Sequence, residues 1–288
     1  MSVLLKEAIP LFLQEYLGPP DNRVKNWIFL NSPLWLIGIL TVYFITLVGL
    51  NKLMEKKEGL KLRGLLTVYN SFQVLYSVYI FKEIITSAYL NNYKLQCTNY
   101  DPNPTPLNMR MATAFWYFYV SKIIDLCDTV FFVLRKKRNQ LTFLHIYHHS
   151  TMIFNWYLGT LYSPGGQAFL SVMFNSFIHI IMYLYYLLAA IGPHMQKYLW
   201  WKKYLTQIQL LQFIVVMVHI LVGYRNNCKA SNWLSWFTVI YLWTLVVLFA
   251  NFYYQAYRKK SVMPSETDID ESTTKKVDFK AGGDFKID

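Results

Sequence analysis

Apolar positions along the chain gather into seven blocks, approximately 33 to 51, 64 to 90, 112 to 134, 141 to 161, 166 to 191, 204 to 224 and 233 to 254. A helix needs roughly 20 mostly apolar residues to cross the hydrocarbon of a bilayer, so the pattern predicts seven membrane-spanning helices. The first 32 residues hold scattered charges and the break Gly18-Pro19-Pro20, not a basic start followed by a compact apolar run. They do not read as a cleavable leader, and the first span is expected to stay in the mature chain. Residues 261 to 288 turn to Ser, Thr, Asp, Lys and Gly, the composition of a disordered tail. The expected organisation is an N-terminal segment 1–32, a seven-helix domain 33–260 and a tail 261–288. No internal repeat is visible.

Composition strengthens the membrane reading. The 288 residues are 55% hydrophobic and only 15% charged, against about 25% charged in soluble domains. Lys and Arg alternate between the ends of the spans. Five lie between spans one and two, four at Arg135 to Arg138, three at Lys197, Lys202 and Lys203, and seven follow the last span, whereas the opposite side carries seven in all. The positive-inside rule then places the N-terminus outside and the C-terminus in the cytosol. The net charge of +12 is therefore largely topological. A nucleic-acid role is excluded because the basic residues sit in short juxtamembrane loops without a recognition fold. The same positives can attract a phosphate-bearing substrate or anionic lipid.

Polar residues inside the spans lie on helical faces. Lys122, Asp125 and Asp128 with Thr129 share one face; so do His145, His148 and His149, and so do Asn175, His179, Tyr183 and Tyr186. With about 1.5 Å per residue, Asp128, Asp125 and Lys122 lie roughly 9, 13 and 18 Å from the cytosolic end of their span, and the three histidines roughly 6 to 12 Å from theirs. Gln207, Gln209 and Gln212 reach similar depths on span six, where the competing reading is interhelical hydrogen bonding. Ionisable groups at such depths usually face a bundle interior or cavity and serve function. Lys82 and Glu83, near the outer interface, need only snorkelling.

Two chemistries suit the histidines. The spacing His145-x-x-His148-His149 could ligate a metal, as in membrane desaturases and hydroxylases. With six histidines in the chain, His194 in a cytosolic loop and His219 toward the outer end of span six, too few remain for a two-metal centre. The other is metal-free nucleophilic and acid-base work by imidazole. A seven-helix receptor or transporter is a third class, although receptors seldom gather acids, amides and histidines at one level.

Four ordered segments carry a resemblance: Lys122-Ile-Ile-Asp125-Leu-Cys-Asp128-Thr129 running on to Arg135-Lys136-Lys137, the His box, Asn175 through Tyr186, and Thr206-Gln207-Ile-Gln209-Leu-Leu-Gln212-Phe213. Together they resemble the signatures of the ELO family of very-long-chain fatty acid elongases over about residues 30 to 260. The family usually has Glu where this chain has Asp125. The stretches Gly165 to Phe169 and Tyr198 to Lys202 are closer to members acting on very long chains than to the palmitate-elongating branch. The resemblance implies an endoplasmic-reticulum 3-ketoacyl-CoA synthase that condenses acyl-CoA with malonyl-CoA, releasing CO2 and CoA. It also implies a tunnel enclosed by helices two to seven, no tightly bound cofactor or metal, hand-over to the reductases and dehydratase of the cycle, and a possible homo-oligomer.

On that reading His148 is the expected nucleophile, His179 its partner, Asp128 the orienter of an imidazole, and Lys122 with Asp125 a supporting pair. His145, His149, Asn175, Gln209 and Tyr183 complete the polar shell. Arg135, Lys136, Lys137, Lys202, Lys203 and Arg258 are expected to meet the CoA phosphates, with Tyr186 and Gln212 along the substrate path. Cys97 and Cys228 fall in two outer loops facing an oxidising lumen, which predicts a disulfide between them, while Cys127 stays a thiol.

Overall fold

Proline and hydroxyl pairs start several of the helices. Ser32 caps α1 (Pro33–Met54) with its side chain accepting from Leu34 N, and Thr105 caps α3 (Pro106–Ile124) by accepting from Asn108 N; each is followed by proline at the first helical position, where its missing N–H costs nothing. Thr142 caps α5 (Phe143–Tyr162) through His145 N. The computed structural model describes residues 18–228 and 232–258. Among them the remaining helices are α2 (Arg63–Leu90), α4 (Leu126–Leu134), α6 (Phe169–Ile191), α7 (Lys202–Arg225) and α8 (Asn232–Tyr253), and no strand occurs. The stretch 261–288 read as a tail lies outside the described residues.

The all-helical expectation holds, and the block read as one third span is instead two helices. Asp125 closes α3 and opens α4, with its own N–H bonded to Ser121 O and its carbonyl taken by Asp128 N at 3.1 Å. The i to i+3 bond tightens the chain locally. Four helical segments, Pro33–Met54, Gly166–Ile191, Lys202–Arg225 and Trp233–Tyr257, are long and apolar enough to cross a membrane. α4, at nine residues, is too short on that measure, and α2, α3 and α5 carry more polar residues along their length. In α2 these include the buried Asn70, Gln73 and Ser77.

Six helical layers close into a ring. α2 packs on α6, α6 on α7, α7 on α8, α8 on α5, α5 on α3, and α3 back on α2. Side-chain bonds tie the later members: Tyr147 to Thr244 at 2.8 Å, Thr151 to Tyr241 at 3.1 Å, and Gln207 to Tyr253 at 2.7 Å. α1 lies outside the ring against α4 and α5, with Tyr43 OH bonded to Thr129 Oγ1 at 3.1 Å. Its outward residues, among them Ile45 (66% exposed) and Val48 (68%), form an apolar face that lipid would cover.

One end of the ring is covered by chain. Asp21 N bonds Leu161 O, the buried Arg23 pairs with Asp21 and reaches Asn108 O, and Tyr100 OH bonds the same Asp21 carboxylate. Gln167 accepts from Thr98 N at 2.9 Å and meets His219 on α7. At Gly166, φ +54, a Cβ would come within 2.9 Å of the Tyr100 backbone, so this turn admits glycine alone without displacement. Cys97 and Cys228 are joined by a disulfide here, their Cα atoms 5.6 Å apart, and Cys127 is a free thiol. Asp101, held by the Asn103 N–H first and then by the Asn108 and Asn103 side-chain amides, has its carboxyl below the usual range.

Candidate active site

The break at Asp125 turns a charged face into the ring. Lys122, on the last turn of α3, is 3% exposed, and a buried ammonium is tolerated only where its donors are used. Its Nζ lies 3.1 Å from Asp125 Oδ2 and 3.0 Å from Asn175 Oδ1 on α6. It also lies 3.5 and 3.4 Å from the two ring nitrogens of His179, nearly equidistant, so it is not aimed at a single lone pair. His179 Nδ1 stands 3.6 Å from Asp125 Oδ2. The sequence reading grouped these four residues by helical face, and the structure brings them into direct contact.

Two further residues hold the carboxylate. Gln73 of α2, fully buried, donates from Nε2 to Asp125 Oδ1 at 2.7 Å and contacts Tyr69 OH at 3.2 Å. Tyr183 OH is 2.9 Å from both Asp125 Oδ1 and Asp128 Oδ2. Sequence reasoning missed Gln73, although Asn70, Gln73 and Ser77 recur at helical spacing in span two, a polar stripe that was a usable signal. Asp128 does not orient an imidazole: its carboxylate is bonded to the Tyr183 phenol, and the carboxylate beside a histidine is Asp125. The tight turn after Asp125 carries Asp128 toward α6 rather than α5.

The His box divides by direction. His145 Nε2 bonds Thr129 Oγ1 at 2.9 Å, and its ring lies 5.0 Å from Phe132 and 4.2 Å from His149. His148 faces the ring interior, 5.6 Å from the His149 ring and 6.0 Å from Phe249. No carboxylate lies within ion-pair reach of His148 among the described residues. Nor do three His, Cys, Asp or Glu side chains there converge as a metal-ligating group.

These groups open on a cavity of about 270 Å³. Lys122, Asp125, Asp128, the three box histidines, Asn175, His179 and Tyr183 line it, as do Tyr186, Gln209 and Gln212. Gln209 Nε2 is 3.8 Å from Met182 Sδ. Lys202, Asn139 and Gln140 stand at its mouth, where α5 and α7 begin. Of the basic residues read as phosphate ligands, Lys202 alone lines it among the described side chains. Lys136 Nζ is bonded to Glu55 O at 3.1 Å and Lys203 lies over the Tyr204 ring; Arg135 and Lys137 do not line the cavity. The Arg258 side chain lies outside the described residues.

Comparison with known proteins fits this geometry. A model of the GNS1/SUR4 (ELO) family matches residues 28–265. Very long chain fatty acid elongase 2 of Mus musculus is 45% identical over 251 residues, 87% of this chain and 85% of that protein. Very long chain fatty acid elongase 4 of Homo sapiens is 41% identical over 239 residues, 83% and 76% of the two chains. Very long chain fatty acid elongase 5 of Tachysurus fulvidraco is 38% identical over 257 residues, 89% and 87%.

Proposed function

The chain belongs to the GNS1/SUR4 (ELO) family, and from that premise we propose that it is a fatty acid elongase acting as a 3-ketoacyl-CoA synthase on long-chain acyl-CoA and malonyl-CoA. The observation that carries this reading is the cluster of Lys122, Asp125, Asn175 and His179 sharing one cavity with His148 and His149. Seven membrane passages fit it, with α3 and α4 together forming one. The N-terminus is lumenal and the C-terminus cytosolic in the endoplasmic-reticulum membrane, as the alternation of Lys and Arg supports.

Lys202 then meets the CoA phosphates at the cavity, with Arg135, Lys136, Lys137 and Lys203 adding positive charge on the same cytosolic side, and the acyl chain passes the histidines along the ring axis. The His148 ring attacks the thioester carbonyl: a C–N bond forms, the C–S bond breaks, and CoA leaves with the proton given up by the imidazole. Malonyl-CoA next loses CO2, and the resulting enolate attacks the acyl carbon. The new C–C bond forms as the C–N bond breaks, and the departing imidazole nitrogen takes a proton from solvent water, the one proton the overall condensation consumes. Lys122 and Asn175 are placed beside His179, where an ammonium and an amide can steady the developing oxyanion. The chain needs no metal for these steps. The product, a 3-ketoacyl-CoA, is a substrate for a reductase.

Purified protein in liposomes, given labelled malonyl-CoA and a long-chain acyl-CoA, is expected to release one CO2 for each 3-ketoacyl-CoA formed. CO2 release without the elongated product contradicts the reading.

A further inference from the structure

Helix α1 stands outside the ring, yet one of its side chains is tied to the His box. Its buried residues are Leu36, Tyr43 and Met54, and of these Tyr43 alone carries a hydroxyl. Tyr43 is 5% exposed, and its OH lies 3.1 Å from Thr129 Oγ1 of α4. That same Oγ1, on a residue 1% exposed, lies 2.9 Å from His145 Nε2 of α5. Three hydrogen-bonding groups on three helices thus form one chain, which starts on the outlying helix and ends on a histidine that lines the reaction chamber.

Each hydroxyl has a single proton to give, and the direction of the chain follows from where those protons can go. Among the described residues Tyr43 OH meets no acceptor other than Thr129 Oγ1, and a buried O–H left unused is costly. The phenol therefore donates to Thr129. Thr129 Oγ1 meets only that phenol and His145 Nε2 there, so its own proton goes to the imidazole. A ring nitrogen that accepts carries no hydrogen, and in a neutral imidazole the other nitrogen then holds it. The reverse direction, which either the other tautomer or the cation requires, leaves the phenol proton without an acceptor.

We propose that Tyr43 is a positioning residue of the reaction chamber, acting through Thr129 to commit His145 to the tautomer protonated at Nδ1. The Nε2 lone pair is then occupied, so His145 serves as a hydrogen-bond donor and not as a base. Base and nucleophile work in the box is left to His148 and His149. The bond also steadies the box, because the His145 ring, fixed at one nitrogen, packs 5.0 Å from Phe132 and 4.2 Å from His149. Helix α1 joins the reaction machinery through this one phenol. The inference deepens the elongase reading and rests on it for the reaction that His145 serves.

The test reads the magnetic resonances of isotope-labelled histidine ring nitrogens in the full chain in lipid bilayers, with His145→Gln assigning the signals of that residue. The unsubstituted protein is expected to show His145 protonated at Nδ1 and bare at Nε2. Tyr43→Phe keeps the aromatic ring but frees the acceptor side of Thr129, and Thr129→Val removes the hydroxyl, so the other tautomer is expected to appear in both. Thr129→Ser keeps the original one. In turnover Tyr43→Phe is expected to lower kcat about three- to tenfold, the worth of one neutral hydrogen bond, with KM for acyl-CoA unchanged, and Thr129→Ser to turn over faster than Thr129→Val. His145 protonated at Nε2 in the unsubstituted protein, or a tautomer unmoved by Tyr43→Phe, overturns the chain of donors. A tautomer that moves while kcat does not overturns the positioning role. Failure of the unsubstituted protein to condense acyl-CoA would refute the proposed activity, and the resonances would still decide the tautomer.

Discussion

Asp125 has one carboxylate and a lysine, a glutamine, a tyrosine and a histidine around it. Oδ2 meets Lys122 and Oδ1 takes Gln73 and Tyr183, so rotation of the short side chain is resisted from both sides. Gln73 contributes a hydrogen bond to a buried charge, worth about 1.5–3 kcal/mol. Gln73→Leu is therefore expected to lower condensation about tenfold or more while leaving the assembled fold intact by size-exclusion chromatography. A Gln73→Leu enzyme with normal kcat shows that the bond is incidental. The charged and histidine faces were legible in the sequence because helical spacing alone sets which side chains share a stripe. Partners across helices were not: nothing in the spacing of Asp128 reveals that Tyr183, rather than an imidazole, takes its carboxylate, and nothing in span two links Gln73 to Asp125.

Helix boundaries followed the apolar blocks closely, with two exceptions in the third block: α3 begins at Pro106, six residues before the apolar run, and the chain breaks at Asp125. A hydropathy pattern cannot register a one-residue tightening whose neighbours on both sides are apolar, and this small irregularity redirects the Asp128 side chain. The covered end of the ring depends equally on loops. The disulfide between Cys97 and Cys228 closes a sequence separation of 131 residues, for which the loss of chain entropy in the unfolded state corresponds to roughly 4 to 5 kcal/mol. Cys97→Ser is expected to lower the melting temperature in detergent clearly and to leave turnover at low temperature little changed. An unchanged melting temperature counts against that tie. Asp101 adds a pH dependence on the same side. Its folded carboxyl is depressed, first by the Asn103 N–H, so its contribution is present above the unfolded value near 4 and is lost as pH falls through the lower folded value. Asp101→Asn should flatten that part of a melting series taken between pH 5 and pH 2.

The whole molecule is a ring of helices whose wall is apolar outside and polar at one level inside, with an outlying helix and one end covered by loops. The alternation of spans and basic loops made the ring's parts readable, since both follow from the cost of moving charge into hydrocarbon. What joins the levels is the claim that an acyl group is held covalently by the His box before malonyl-CoA reacts. The direct measurement is mass analysis after incubation with acyl-CoA alone. The account predicts release of free CoA and an added acyl mass on the peptide containing residues 145 to 149, both abolished in His148→Ala, with the adduct retained in His179→Ala. CoA release and adduct both absent, with full product on adding malonyl-CoA, contradicts it, and loss of the adduct in His179→Ala alone moves the nucleophile to α6.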